Sequence, residues 1–217
     1  MSDAEQLDIP PAVKTWFAQL DEAGRAALQR QQWYQRIKTS RTDGWEALSA
    51  TRPHRVAAPL HYVIGRMSPF YIERFISRDR QRMLFAVYYG AYTTNGAHEL
   101  GVGQGGAQAA LFDCLCATCA VVAQEEPRRR VATADLAVQM RRPVGPIPGV
   151  FRMEAWLHSR EGRKHTVRAT ITLGGPEDPV LASAEAMHLE LRGPPSPSTA
   201  GGGGVTAPPH QSPRSKL

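Results

Sequence analysis

The sequence predicts an α+β layer fold in which one long helix lies on an antiparallel sheet. Three observations predict it. Two β-rich runs, Phe70–Ser77 and Gln81–Tyr89, are separated only by Arg78, Asp79 and Arg80, the length of a tight hairpin. An apolar segment from Gln104 to Ala123, QGGAQAALFDCLCATCAVVA, reads as a long helix opened by two glycines. Three strand-like runs follow: Val131–Met140, then Val150–Ser159 joined to His165–Leu173, then Val180–Leu191 after the turn GGPEDP. In the middle run Phe151, Met153, Ala155 and Leu157 alternate with Arg152, Glu154, Trp156 and His158, the period of a sheet with one covered face.

The flanking regions are of different character. From Pro10 to about Lys38 the pattern is helical, with Val13, Trp16, Phe17 and Leu20 on one face and Asp21 and Gly24 as a break point, giving an N-terminal helical extension over residues 1–60. Residues 39–66 are loop-rich around Pro53 and Pro59. The folded domain takes residues 61–192. From Gly193 onward, six of 25 residues are Pro and five Gly, so residues 193–217 are expected to form a disordered tail. The tail closes on Ser215, Lys216 and Leu217, the address read by the peroxisomal import receptor, and a peroxisomal location is the expectation.

Composition narrows the function classes. Among 217 residues, 42% are apolar, enough for one real core, and no run approaches the roughly 20 apolar residues of a membrane span. The opening MSDAEQLDIPP has neither the basic region nor the apolar stretch of an export signal. The net charge of +6 lacks the aromatic and basic interleaving of a nucleic-acid surface and fits an acidic small ligand better. Cys114, Cys116 and Cys119 fall within six residues of one helix, which reads as small buried side chains in a reducing compartment, and no metal site or resident cofactor is expected.

The chemistry centres on that helix. Asp113 is an acid inside an otherwise apolar segment, and a desolvated carboxylate costs several kcal/mol unless paired or protonated. Gly105 and Gly106 leave the first N–H groups of the helix uncovered, which is where a developing oxyanion is held. The pair suggests acyl transfer. Gln104 and Asp113 are nine positions apart, so an ideal helix sets them roughly 13 Å and half a turn from one another. They reach one reacting group only if the acid meets the glycine end of a second copy, as in a two-fold dimer with antiparallel helices. Gly101, Gly103 and Gly106 also spell GxGxxG, but no strand leads directly into them and no βαβ repeat follows.

From about Arg41 to Arg192 the chain resembles the hotdog-fold acyl-CoA thioesterases, most closely the thioesterase superfamily member four and five branch. QGGAQAALFDCLCATCA looks like that family's HGGAxxxxxD pattern, VATADLAVQMRRP resembles the strand after it, and EGRK resembles a later hairpin turn. Similarity near TDGWEAL is faint. The resemblance implies an antiparallel sheet wrapped around a central helix, hydrolysis of acyl-CoA to free acid and coenzyme A, and a homodimer or dimer of dimers with sites at the interface. It implies that Asp113 is general base or nucleophile, that Gly105 holds the oxyanion with Gly106 beside it, and that Thr133 is positioned near the acid. The motif's histidine is Gln104 here, which can anchor a carbonyl but cannot transfer a proton; His98 in the preceding loop is a substitute. Arg128, Arg129, Arg130, Arg141 and Arg142 are candidates for the coenzyme A phosphates. A hotdog protein that binds acyl-CoA without hydrolysing it is the alternative. A hydratase would want an Asp–His pair near the helix start.

Overall fold

A computed structural model of the chain describes residues 11–39, 44–48, 70–90, 101–123, 130–175 and 177–191. The elements in order are α1 (Pro11–Gln29), α2 (Gln32–Thr39), β1 (Trp45–Ala47), β2 (Phe70–Ser77), β3 (Arg82–Tyr89), α3 (Gly105–Val122), β4 (Val131–Met140), β5 (Gly149–Glu161), β6 (Lys164–Thr172) and β7 (Ala182–Glu190). Among the described residues all strand pairs are antiparallel, in one seven-stranded sheet of order β1-β2-β3-β5-β6-β7-β4. An antiparallel sheet without βαβ units removes the dinucleotide-binding alternative raised by GxGxxG.

The topology explains where α3 lies. β3 sits inside the sheet and β4 forms its far edge, so the segment between them must cross the sheet, and α3 crosses its inner face. Leu111, Phe112, Leu115, Cys116 and Cys119 are fully buried there against Met83, Phe85, Val87, Phe151, Met153, Val167 and Ile171. By length and composition α3 is apolar enough to cross a membrane, and half of it is buried within the fold. All three cysteines are buried free thiols, and burial pushes each thiol pKa up, Cys119 to about 12.

The helical region differs from expectation in its break point. The chain bends at Arg30 and Gln31, and Gly24 lies within α1. A Cβ at Gly24 would come within 2.4 Å of the Tyr71 side chain, so this glycine lets α1 approach β2 closely. Of the expected apolar face, Leu20 is buried and Trp16 half-buried; the side chains of Val13 and Phe17 lie outside the description. Leu28, Tyr34 and Ile37 form a second core with Phe75, Leu84 and Ala86 on the outer face of the sheet.

That outer core corrects a further expectation. β5 does not have one covered face: Arg152 is only 8% exposed, stacked by the Trp33 ring and ion-paired to Glu154. The alternation of apolar and charged residues hid this, because the guanidinium is neutralised on its own strand instead of by solvent. The runs after α3 form four strands, the middle one being the β5–β6 hairpin that turns at Gly162. A seventh strand, β1, comes from within residues 1–60 and pairs with β2. The tail at 193–217 lies outside the described residues, as does the expected boundary at residue 60.

Candidate active site

Asp113 and Thr133 meet. The Thr133 hydroxyl donates to Asp113 Oδ1 at 2.6 Å, with Asp113 half-buried and Thr133 exposed at the sheet edge. The acid is therefore not sealed in an apolar core, which answers the desolvation problem posed by the sequence. Among the described residues Asp113 Oδ2 has no protein partner. A β-bulge falls between Thr133 and Asp135, and such a bulge re-aims the side chains beside it.

The helix start is a separate place. Gln104 has an extended backbone (φ −64°, ψ 132°), is exposed, and makes no side-chain cap, so the first N–H groups of α3 have no side-chain acceptor from it. A Cβ at Gly106 would meet nothing within 4 Å, and one at Gly105 would meet only the Met140 methyl at 3.9 Å. The preceding loop is held in place from inside. The Gln108 amide, 3% exposed, donates to the Gly103 carbonyl at 2.8 Å, and the Gly103 N–H donates to Val144 O.

Within one chain these two places stand at opposite ends of β4, Gly105 beside Met140 and Asp113 beside Thr133. The structure thus brings together Asp113 with Thr133, and Gln104 with Gly105 and Gly106, but not the two groups with each other. Arg141 and Arg142 follow Met140 and are exposed; the Arg141 guanidinium donates to Ser183 Oγ and Gln139 Oε1. Arg130 is exposed just before β4, at the Thr133 end. His98, Arg128 and Arg129 lie outside the described residues.

One residue near the acid escaped the sequence reading. His188 on β7 is fully buried, with Nδ1 3.4 Å from Thr133 Oγ1. Burial depresses its pKa below the ordinary imidazole value, partly offset by the Asp113 carboxylate and reinforced by neighbouring His165. His165 Nε2 in turn lies 2.8 Å from Glu190 Oε1, both residues being nearly inaccessible. A usable signal existed: in ASAEAMHLE the small residues Ala182, Ala184 and Ala186 mark the inner face, and the same period carries His188 and Glu190 inward. Among the described residues no His, Cys, Asp and Glu group is arranged to hold a metal ion.

No protein-family model matches the chain, and no curated protein sequence does. Solved structures do. A thioesterase-family protein from Silicibacter pomeroyi is 17% identical over 67% of this chain and 100% of its own, with a TM-score of 0.51. The PaaI protein of E. coli, from the phenylacetic acid degradation operon, is 14% identical over 64% of this chain and 93% of its own, also at 0.51. A Pseudomonas aeruginosa protein is 20% identical over 64% and 96%, at 0.50. With the antiparallel sheet and the helix across its inner face, these likenesses establish the hotdog fold for this chain.

Proposed function

We propose that this protein is an acyl-CoA thioesterase of the member four and five branch. The observation that carries the reading is the 2.6 Å hydrogen bond from Thr133 to Asp113, which fixes one carboxylate oxygen while the other has no partner among the described residues. Asp113 acts either as base on a water or as nucleophile at the thioester carbonyl. In the base route water oxygen adds to the carbonyl carbon as Asp113 takes one water proton; the tetrahedral intermediate then collapses, the C–S bond breaks, and the proton held on Asp113 passes to the leaving sulfur, releasing free acid and coenzyme A thiol and restoring the carboxylate. The Gly105 and Gly106 N–H groups hold the carbonyl oxygen as its charge grows, and Gln104 anchors it. Exposed Arg130, Arg141 and Arg142, with Arg128 and Arg129, supply contacts for the coenzyme A phosphates, and His98 stands as the substitute for the histidine that Gln104 replaces. No resident cofactor enters; coenzyme A arrives with the substrate.

The two halves of this machinery belong to two subunits. β4 is the last strand of the sheet, and its second edge is unpaired among the described residues. A second copy paired antiparallel along that edge reverses the order of its ends, so its glycine end faces Asp113. A homodimer, or a dimer of dimers, follows from this arrangement. Peroxisomal import through Ser215, Lys216 and Leu217 belongs to the same reading.

Asp113→Asn with native circular dichroism should lower kcat for acyl-CoA hydrolysis by about 10²–10⁴-fold. Unchanged thiol release would sink the assignment. Gln104 favours one rival, a non-catalytic acyl-CoA-binding protein, because its amide transfers no proton. Calorimetric binding of acyl-CoA without any thiol release would select that rival.

A further inference from the structure

Thr133, His188 and His165 form one row across three strands. Thr133 is the register partner of His188, and His188 of His165, so all three project from the same face of the sheet. Behind the row, Glu190 accepts from His165 and from Arg160 on β5. The groups that face His188 are therefore Asp113 from α3, Thr133 from β4, His165 from β6, and Glu190 on its own strand, with Arg160 beyond.

The tautomer of His188 follows from counting protons. Thr133 has one hydroxyl proton, and it is committed to Asp113 at 2.6 Å. Its oxygen can then only accept from the imidazole, so the single proton of a neutral His188 belongs on Nδ1. The other tautomer would draw the hydroxyl proton away from Asp113 and leave a buried N–H without an acceptor at Nε2, which has no hydrogen-bond partner among the described residues. The depressed pKa keeps the ring neutral at neutral pH, so one tautomer persists.

We propose that His188 is a positioning residue: its Nδ1–H orients the Thr133 hydroxyl so that the hydroxyl proton stays on Asp113 Oδ1 and Oδ2 is left to act on water. This rests on the thioesterase reading for its catalytic consequence but not for its hydrogen bonds. His188 itself does not touch substrate.

The test compares His188→Leu, His188→Asn, Thr133→Val and the Leu–Val double variant of the full chain, using kcat per folded molecule and KM with an acyl-CoA. His188→Leu should lower kcat on the order of tenfold, the weight of one neutral hydrogen bond, with KM unchanged. His188→Asn, whose amide can donate from near the Nδ1 position, should recover most of it. Adding His188→Leu to Thr133→Val should cost nothing more. An unchanged kcat in His188→Leu, an equal loss in His188→Asn, or additive losses in the double variant would overturn the proposal.

A second readout needs no activity. ¹⁵N-resolved imidazole spectra, with His188 assigned by its loss in His188→Asn, should show Nδ1–H in the unaltered chain and a shift toward Nε2–H in Thr133→Val. Nε2–H in the unaltered chain overturns the proposal. If the unaltered chain releases no thiol, the thioesterase reading fails alone and the tautomer still decides the role of His188.

Discussion

The inner face of the sheet has two ends of opposite character. On β3 and β5 its residues are apolar and dry: Met83, Phe85, Val87, Phe151, Met153 and Ala155 are at most 1% exposed. On the β6–β7–β4 side the same face ends in His165, His188, Glu190 and Thr133. The first end gains stability from burial alone. The second holds polar groups that burial penalises, and His188 Nε2 and His165 Nδ1 are without partners among the described residues. A sheet selected only for stability would carry the alanine pattern of β7 through to its end. The departure begins where Asp113 sits, and under the proposed function it is the stability given up to hold the acid and its partners in place.

The contrast can be broken from either side. Phe85→Ala, at the dry end, should cost about 3–5 kcal/mol in urea unfolding while leaving kcat per folded molecule unchanged, since it opens a cavity away from the acid. A fall in kcat with retained stability would show that the two ends are not separate. Gly105→Pro should do the reverse. Proline is well accommodated at the first helical position after an extended Gln104, yet it removes the N–H, so kcat should fall by ~10²–10³ with the thermal midpoint nearly unchanged. Mixing Gly105→Pro with Asp113→Asn subunits should restore part of the activity in heterodimers, which contain one intact shared site; no recovery would place the whole site in one chain.

The smallest effect concerns pH. His188 titrates lower in the folded chain than its ordinary value of 6.5, so the unfolded chain binds its proton first. Its contribution to stability is complete above that value and is lost as pH falls through the lower folded pKa. The urea midpoint should therefore drop on acidification below about pH 6.5, and more steeply in the unaltered chain than in His188→Asn. Every other group is common to both chains, so the difference between the two curves isolates His188. Parallel curves would refute the depressed pKa.

Local pattern was enough to place β2, β3, α3 and β4 to β7, because hairpin length, apolar runs and helix-opening glycines act between near neighbours in sequence. It also singled out Asp113, Gly105 and Gly106, and predicted that the acid and the glycines of one helix do not share a reacting group, while Thr133 was named only through the family resemblance. Tertiary structure alone decided the rest. It recruited β1 into the sheet, covered the outer face with α1 and α2 so that Arg152 became buried, and set His188 behind Thr133. Asp113 and Thr133 are separated by 20 positions, and Thr133 and His188 by 55. Contacts at such separations come from strand register and from the crossing of α3, which no local period encodes.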